Sequence, residues 1–253
     1  MAEQGKIKYI KDGRTGIIEF FHPAHNSLPS ALLLELKTCI ETASQDDGIH
    51  IILLKSSGNR TFCAGASFEE LSSIKNEVEG KEFFMGFARV VNAMRKSDKV
   101  IIGRVHGKAV GGGVGIISAC DYVIANQYAS FRLSELEIGI GPFVIGPVVE
   151  RKSGSSIFSM LSLTPGIWRN PEFGKQCGLY HEVHESTELL DHHLNLFISN
   201  LQEYSLSALK ELKRIWWEDT SHWDELLEHR AGISGRLVLS HKARQIIHSL
   251  IKK

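Results

Sequence analysis

The sequence predicts a mixed α/β chain whose C-terminal part is wholly helical, and three observations carry that reading. Short runs rich in Ile, Leu and Val, at Ile49–Lys55, Val100–Val105 and Tyr122–Ala125, have the length and β-branched content of buried strands. The first two are each followed by a glycine-containing loop and then by apolar residues at helical spacing. From Thr187 onward no such run recurs, and only helical patterns remain. The chain therefore divides into a mixed core, residues 1–186, and a helical region, residues 187–253.

The elements follow in order. Ile7–Lys11 and Gly16–Phe20 read as a hairpin turned at Asp12-Gly13. After the loop His22–Leu28, Pro29 and Ser30 open a helix with Leu33, Leu36, Cys39 and Ile40 on one face. The strand Ile49–Lys55 ends in a loop and the segment Thr61–Ser67, TFCAGAS, with helices expected at Phe68–Lys75 and Glu79–Lys96. The second carries Phe83, Phe84, Phe87, Val90, Val91 and Met94 on its apolar face. Val100–Val105 then runs into His106–Asp121, HGKAVGGGVGIISACD, where three glycines precede a helix at Val114–Cys120. Tyr122–Ala125 and Ala129–Leu133 are further strands, Gly146–Leu163 one helix, Pro171–Cys177 a short helix and Gly178–Val183 a last strand. Helices are expected at Glu188–Leu201, Ser205–Glu218 and His222–Ile251, as a lid or an oligomerisation arm.

Composition bounds the function classes. Twenty-nine basic residues balance 29 acidic ones over 253 residues, so no electrostatic footprint of a nucleic-acid binder is present. No apolar run approaches the roughly 20 residues of a membrane span, and the N-terminal residues lack the apolar core of a secretion signal. Cys39, Cys63, Cys120 and Cys177 are widely spaced without CxxC pairing, which reads as buried thiols and not a metal site or disulfide frame. The expectation is a cytoplasmic protein without metal or redox cofactor.

The chemistry concentrates in two glycine-containing loops, each between a strand and a helix: Ala64-Gly65-Ala66 and Gly111-Gly112-Gly113. Glycine lets the backbone approach a ligand closely, and N–H groups at a helix start are free to donate. Two such loops can aim N–H groups at one oxygen, an oxyanion hole without side chains. Glu135 lies downstream as the acid that acts on the adjacent carbon.

At these residues the chain resembles the crotonase, or enoyl-CoA hydratase/isomerase, superfamily. The matching pieces are Phe62–Ser67, the HGKAVGGGVG block with Cys120-Asp121, Ala129–Glu135 followed by Gly139, and loosely Pro23 with Asn26-Ser27-Leu28. Their order and spacing agree from about residue 7 to residue 185. The resemblance implies repeated ββα units wound into a spiral, C-terminal helices that build a homotrimer or dimer of trimers, and an acyl-CoA thioester substrate. It assigns the oxyanion hole to the N–H groups of Ala66 and Gly112, acid/base work to Glu135, and adenine binding to the backbone of Ala64, Gly65 and Ala66.

The departures decide the expected reaction. Hydratases of this family carry a Glu two residues beyond the glycine triplet, where this chain has Gly115. One remaining carboxylate suits shuttling a single proton between C2 and C4, so double-bond isomerisation is slightly preferred. Hydration or dehydration, also of a branched, methylglutaconyl-like substrate, is the alternative, with Glu69, Glu70 or Glu137 as spare acids. Decarboxylation and a non-catalytic acyl-CoA-binding scaffold remain further alternatives. Ser67 and Ser134 replace the usual Asp and Pro, and Phe143 with Val144 is expected to narrow the acyl pocket or to favour a branched or unusual acyl chain. His25, His106, Cys63, Trp216 and Trp217 read as scaffold or packing residues. The basic tail (His241, Lys242, Arg244, Lys252, Lys253) reads as contacts with coenzyme phosphates or as a solvated face.

Overall fold

A computed structural model describes residues 5–251, so the tail residues Lys252 and Lys253 lie outside the described residues. The chain runs β1 (Lys6–Asp12), β2 (Thr15–Phe21), α1 (Ser30–Gln45), β3 (Ile51–Ser56), β4 (Thr61–Cys63), α2 (Phe68–Ser73), α3 (Glu77–Lys96), β5 (Val100–Val105), β6 (Lys108–Val110), α4 (Gly112–Ala119), β7 (Tyr122–Asn126) and β8 (Phe131–Arg132). It continues with α5 (Gly146–Ser153), α6 (Ser155–Leu163), α7 (Pro171–Gln176), β9 (Glu182–His184), α8 (Thr187–Gln202), α9 (Leu206–Trp216), α10 (Trp223–Leu237) and α11 (His241–Ile251).

Two sheets share these strands. The larger has the order β1-β2-β3-β5-β7-β9, antiparallel at β1–β2 and parallel elsewhere. The smaller is the parallel set β4-β6-β8. In each successive strand pair, β3β4, β5β6 and β7β8, the first strand extends the large sheet and the second the small one, before the chain turns into helix. This is the repeated ββα spiral of the crotonase fold.

The apolar runs are explained by burial on both faces. Ile52, Leu54 and Ile101 point into the main core, whereas Ile51, Leu53, Val100 and Ile102 point to the other side. There Leu190, Leu194 and Ile198 of α8 and Leu209 of α9 cover them. Helix α3 puts Phe83, Phe84, Phe87, Val90, Val91 and Met94 into the main core, as its periodicity predicts. Helix α10 crosses α3 at two glycines: a Cβ on Gly80 would lie 2.7 Å from Gly235 Cα. No helix among the described residues is long and apolar enough to cross a membrane.

Several boundaries differ from the sequence reading. The expected helix Gly146–Leu163 breaks into α5 and α6 at Gly154, whose φ of +86° no helix accommodates. The expected helix His222–Ile251 breaks into α10 and α11 at Val238–Ser240. Only Phe131 and Arg132 of the expected strand Ala129–Leu133 pair, and the last strand is Glu182–His184, displaced beyond the left-handed Gly178. The short β4 and β6 carry too few residues to show a period.

A buried ion pair fastens the helical region to the core. Asp121 Oδ2 accepts hydrogen bonds from Lys213 Nζ (2.8 Å) and Ile101 N–H (2.7 Å), and Oδ1 accepts from Trp217 Nε1 (2.9 Å). Both charged side chains are 1% exposed, and Lys213 Nζ also donates to Lys99 O. Removing Lys213 leaves the Asp121 carboxylate buried, still bonded to Ile101 N–H and Trp217 Nε1 but without its ion-pair partner. Lys213→Met is therefore expected to lower unfolding free energy by about 3–5 kcal/mol in urea denaturation; a loss below ~1 kcal/mol would show that Asp121 does not depend on this partner.

Candidate active site

The small sheet builds the site. Parallel pairing of β4 with β6 (Cys63↔Ala109) and of β6 with β8 (Val110↔Arg132) brings three loops side by side at the strands' C-terminal ends. In open α/β sheets that end is where ligands bind. The loops are Ala64-Gly65-Ala66, Gly111-Gly112 and Leu133-Ser134-Glu135.

The first loop is held by the segment before α1. Leu28 N–H donates to Gly65 O (2.8 Å), Ala64 N–H donates to His25 O (3.2 Å), and Asn26 Nδ2 donates to Ser57 O and Thr61 O. His25 and Asn26 both sit at positive φ, +55° and +56°, strain that this bracket holds in place. Ser67 Oγ caps α2 by accepting from Glu70 N–H, so the residue in the usual Asp position is a helix cap. The Ala66 N–H is left without an acceptor among the described residues.

The second loop meets the first closely. A Cβ on Gly65 would lie 2.9 Å from Val110 O and 3.5 Å from Gly112 N. Gly111 has φ +53° and donates its N–H to Arg132 O, and Gly112 is the first residue of α4. Its N–H therefore has no intrahelical acceptor and adds the positive end of the helix dipole. Phe87 lies over it: a Cβ at position 112 would come within 2.6 Å of Phe87 Cζ.

Glu135 opens a 3-10 turn, Glu135–Ile138, and its carboxylate lies over Gly111. A Cβ on Gly111 would meet Oε1 at 2.9 Å, so any side chain there would displace the carboxylate, and the positive φ itself favours glycine. The residue is half-buried, but Oε2 is fully covered and has no hydrogen-bond partner. Burial raises the carboxyl pKa to about 7, against the lesser opposing effects of local backbone N–H groups and Arg132. That is where an acid/base group works best at neutral pH.

These groups face one cavity of about 60 Å³, lined by Ala64, Gly65, Ala66, Gly111, Gly112 and Glu135 on one side. Phe84, Phe87, Ile138, Phe143, Val144 and Ile145 are part of the apolar remainder, with Ser234 of α10 beside them. The structure thus brings Ala64, Gly65, Ala66, Gly112 and Glu135 to one cavity, and Phe143 and Val144 line its wall. Phe84, Phe87, Ile145 and Ser234 had been invisible as site residues. The phenylalanines follow the core period of α3, and nothing local marks Ile145 or Ser234.

The spare acids lie elsewhere. Glu70 Oε2 accepts from Ser30 N–H and Oγ at the start of α1, and Glu137 pairs with Arg132 at 2.9 Å. Glu69 is exposed and lines no part of the cavity. At position 115 the space for a side chain is filled: a Cβ there would lie 2.7 Å from Ile145 Cβ. Cys63 is fully buried and its thiol is pushed up to about 12 by burial, which leaves no thiolate to act as a nucleophile. His106 is buried and its pKa falls to about 4 for the same reason; neither it nor His25 lines the cavity.

Backbone donors and one covered carboxylate thus meet at the centre of a fold of ββα units. The sequence profile described as enoyl-CoA hydratase/isomerase matches residues 13–237, and the chain belongs to that family. It is 30% identical over 191 residues to a short-chain-enoyl-CoA hydratase of Clostridium acetobutylicum, covering 75% of this chain and 72% of the relative. It is 31% identical over 140 residues to a probable enoyl-CoA hydratase of Bacillus subtilis, covering 55% of this chain and 54% of that one. The crystal structure of an enoyl-CoA hydratase from Bacillus halodurans superposes with a TM-score of 0.87, over 96% of this chain and 99% of that one, at 22% identity.

A carboxyl whose folded pKa is raised has a definite pH signature. The folded state holds its proton from the unfolded pKa of about 4.5 up to about 7, so stability falls as pH rises through that window. Glu135→Gln is expected to be more stable than wild type at pH 8, with the difference closing below pH 5 in thermal melts. Equal stability at both pH values would show that the carboxylate is not buried.

Proposed function

We propose that the protein isomerises a short 3-enoyl-CoA to the 2-enoyl-CoA with Glu135 as its one acid/base. The observation that carries this reading is the packing at Gly115, where Ile145 occupies the place of a second acid's side chain. Glu135 is the one ionisable side chain lining the cavity among the described residues.

The thioester carbonyl oxygen accepts from the Ala66 and Gly112 N–H groups, which makes the C2 proton acidic. Glu135 carboxylate takes that proton, and the electron pair moves into a dienolate whose oxygen is held by the same two donors. The Glu135 carboxyl then returns the proton to C4, and the double bond rests between C2 and C3. Atoms and charge balance without water or cofactor. Losing one such donor costs on the order of 3–4 kcal/mol of transition-state stabilisation. The apolar wall of Phe84, Phe87, Phe143 and Ile145 excludes water from the enolate and, with a volume of about 60 Å³, suits a short acyl chain. The adenine of coenzyme A is assigned to the backbone of Ala64–Ala66. A homotrimer or dimer of trimers in the cytoplasm, without resident cofactor, completes the proposal.

Hydration of a 2-enoyl-CoA is the second reading, favoured by the hydratase names of the relatives above. It requires Glu135 alone to position the water and to handle the C2 proton.

A panel of 2-enoyl-, 3-enoyl- and 3-methylglutaconyl-CoA, followed by mass and NMR in deuterated water, separates the readings. Conversion of 3-enoyl to 2-enoyl without mass gain from water is expected, with kcat reduced roughly 10²–10⁴-fold in Glu135→Gln. Addition of water to a 2-enoyl substrate, with no isomerisation, would replace the proposal by hydration. Loss of carbon dioxide would point to decarboxylation, and thioester binding without turnover to a scaffold.

A further inference from the structure

The last strand of the large sheet and the helix that follows it carry a cluster that the acyl site does not use. Glu182 and His184 stand two residues apart on β9, so their side chains leave the same face of the sheet. Val183 between them packs against the main core. His193, on α8, lies against that outward face, with its ring stacked on His184 at 4.2 Å between centroids. One ligand atom from each of Glu182, His184 and His193 lies within 4.8 Å of the other two.

We propose that Glu182, His184 and His193 form a site for a zinc-class transition-metal ion that clamps α8 to the edge of the large sheet. Two imidazoles and a carboxylate from two elements are the donor set of a three-ligand zinc centre with one position left to water. His184 Nε2 already lies 2.9 Å from Glu182 Oε2. The carboxylate is oriented from behind: Tyr122 OH donates to its other oxygen, Oε1, at 2.9 Å. Tyr122 is itself fixed between the rings of His181 and Phe197, at 4.2 and 4.3 Å between centroids. Such an outer hydrogen bond is what holds a metal-binding carboxylate in place.

The two imidazoles differ in freedom. The His184 side chain is 15% exposed and its backbone is anchored, with its carbonyl accepting from Gln127 N–H. His193 is exposed, so its ring can turn out of the stack to bring a nitrogen onto the ion. His192, whose ring meets His193 edge-on at 5.7 Å, is outside the ligand group and serves as the control. None of the three proposed ligands lines the acyl cavity.

The test is calorimetric titration of the full-length, chelator-treated protein with zinc chloride, alongside thermal melts with and without zinc. One ion per chain and a rise in Tm are expected, with magnesium without effect. His193→Ala, which removes an exposed side chain, should weaken binding at least tenfold and abolish the Tm rise, while its metal-free Tm stays that of wild type. Tyr122→Phe should weaken binding about 10–100-fold, and His192→Ala should leave it unchanged. Absence of stoichiometric binding, or zinc affinity undiminished in His193→Ala, would overturn the proposal.

Discussion

Three very short strands carry the weight of this structure. β4, β6 and β8 contribute three, three and two residues, yet their parallel pairing aligns the ends from which Ala66, Gly112 and Glu135 project. So small a sheet has little stability of its own. It is held because each strand is the second arm of a ββα unit whose first arm is anchored in the six-stranded sheet. That larger sheet is itself covered on both faces, α10 crosses α3 beside it, and the Asp121–Lys213 pair ties the helical region to the core. A rigid backbone is the appropriate support for the oxyanion hole proposed at Ala66 and Gly112, because donors that need no reorganisation stabilise developing charge most effectively.

The second constraint is dryness. Covering the Glu135 carboxylate costs stability when it is ionised, and the same covering brings its pKa to about 7, where it can both take and return a proton. The steric frame is equally demanding. Gly111 yields to the carboxylate, Gly112 to Phe87, and Gly115 to Ile145, so three glycines of one stretch make room for three different neighbours. In the reading proposed here, the apolar contact between Gly115 and Ile145 is what separates a one-carboxylate site from a two-carboxylate one.

Much of this was legible in the residues themselves. Ile49–Lys55 and Val100–Val105 declared buried strands because both faces are apolar, and the glycine loops declared close backbone approach. The order of Phe62–Ser67, His106–Asp121 and Ala129–Glu135 then carried the family. What stayed hidden depends on tertiary contact. β4 and β6 are too short to show a period, and Gly154 and Val238–Ser240 interrupt helices that local apolar spacing alone would continue. Ile145 and Ser234 reach the cavity only because α5 packs beside α4 and α10 crosses α3. The partners of two spare acids were hidden for a similar reason: Glu70 meets Ser30 and Glu137 meets Arg132, contacts that no spacing rule reveals.

Every proposed reaction passes through a thioester enolate formed by Glu135 and held by the Ala66 and Gly112 N–H groups. That step is tested most directly with a saturated short acyl-CoA, which offers no double bond to hydrate or shift. Proton exchange at C2 in deuterated water, followed by NMR, isolates enolate formation from every later step. Deuterium is expected to enter at C2 alone with wild-type protein and to stop entering with Glu135→Gln. Exchange that continues at the wild-type rate in Glu135→Gln would contradict the assignment of the proton to this carboxylate.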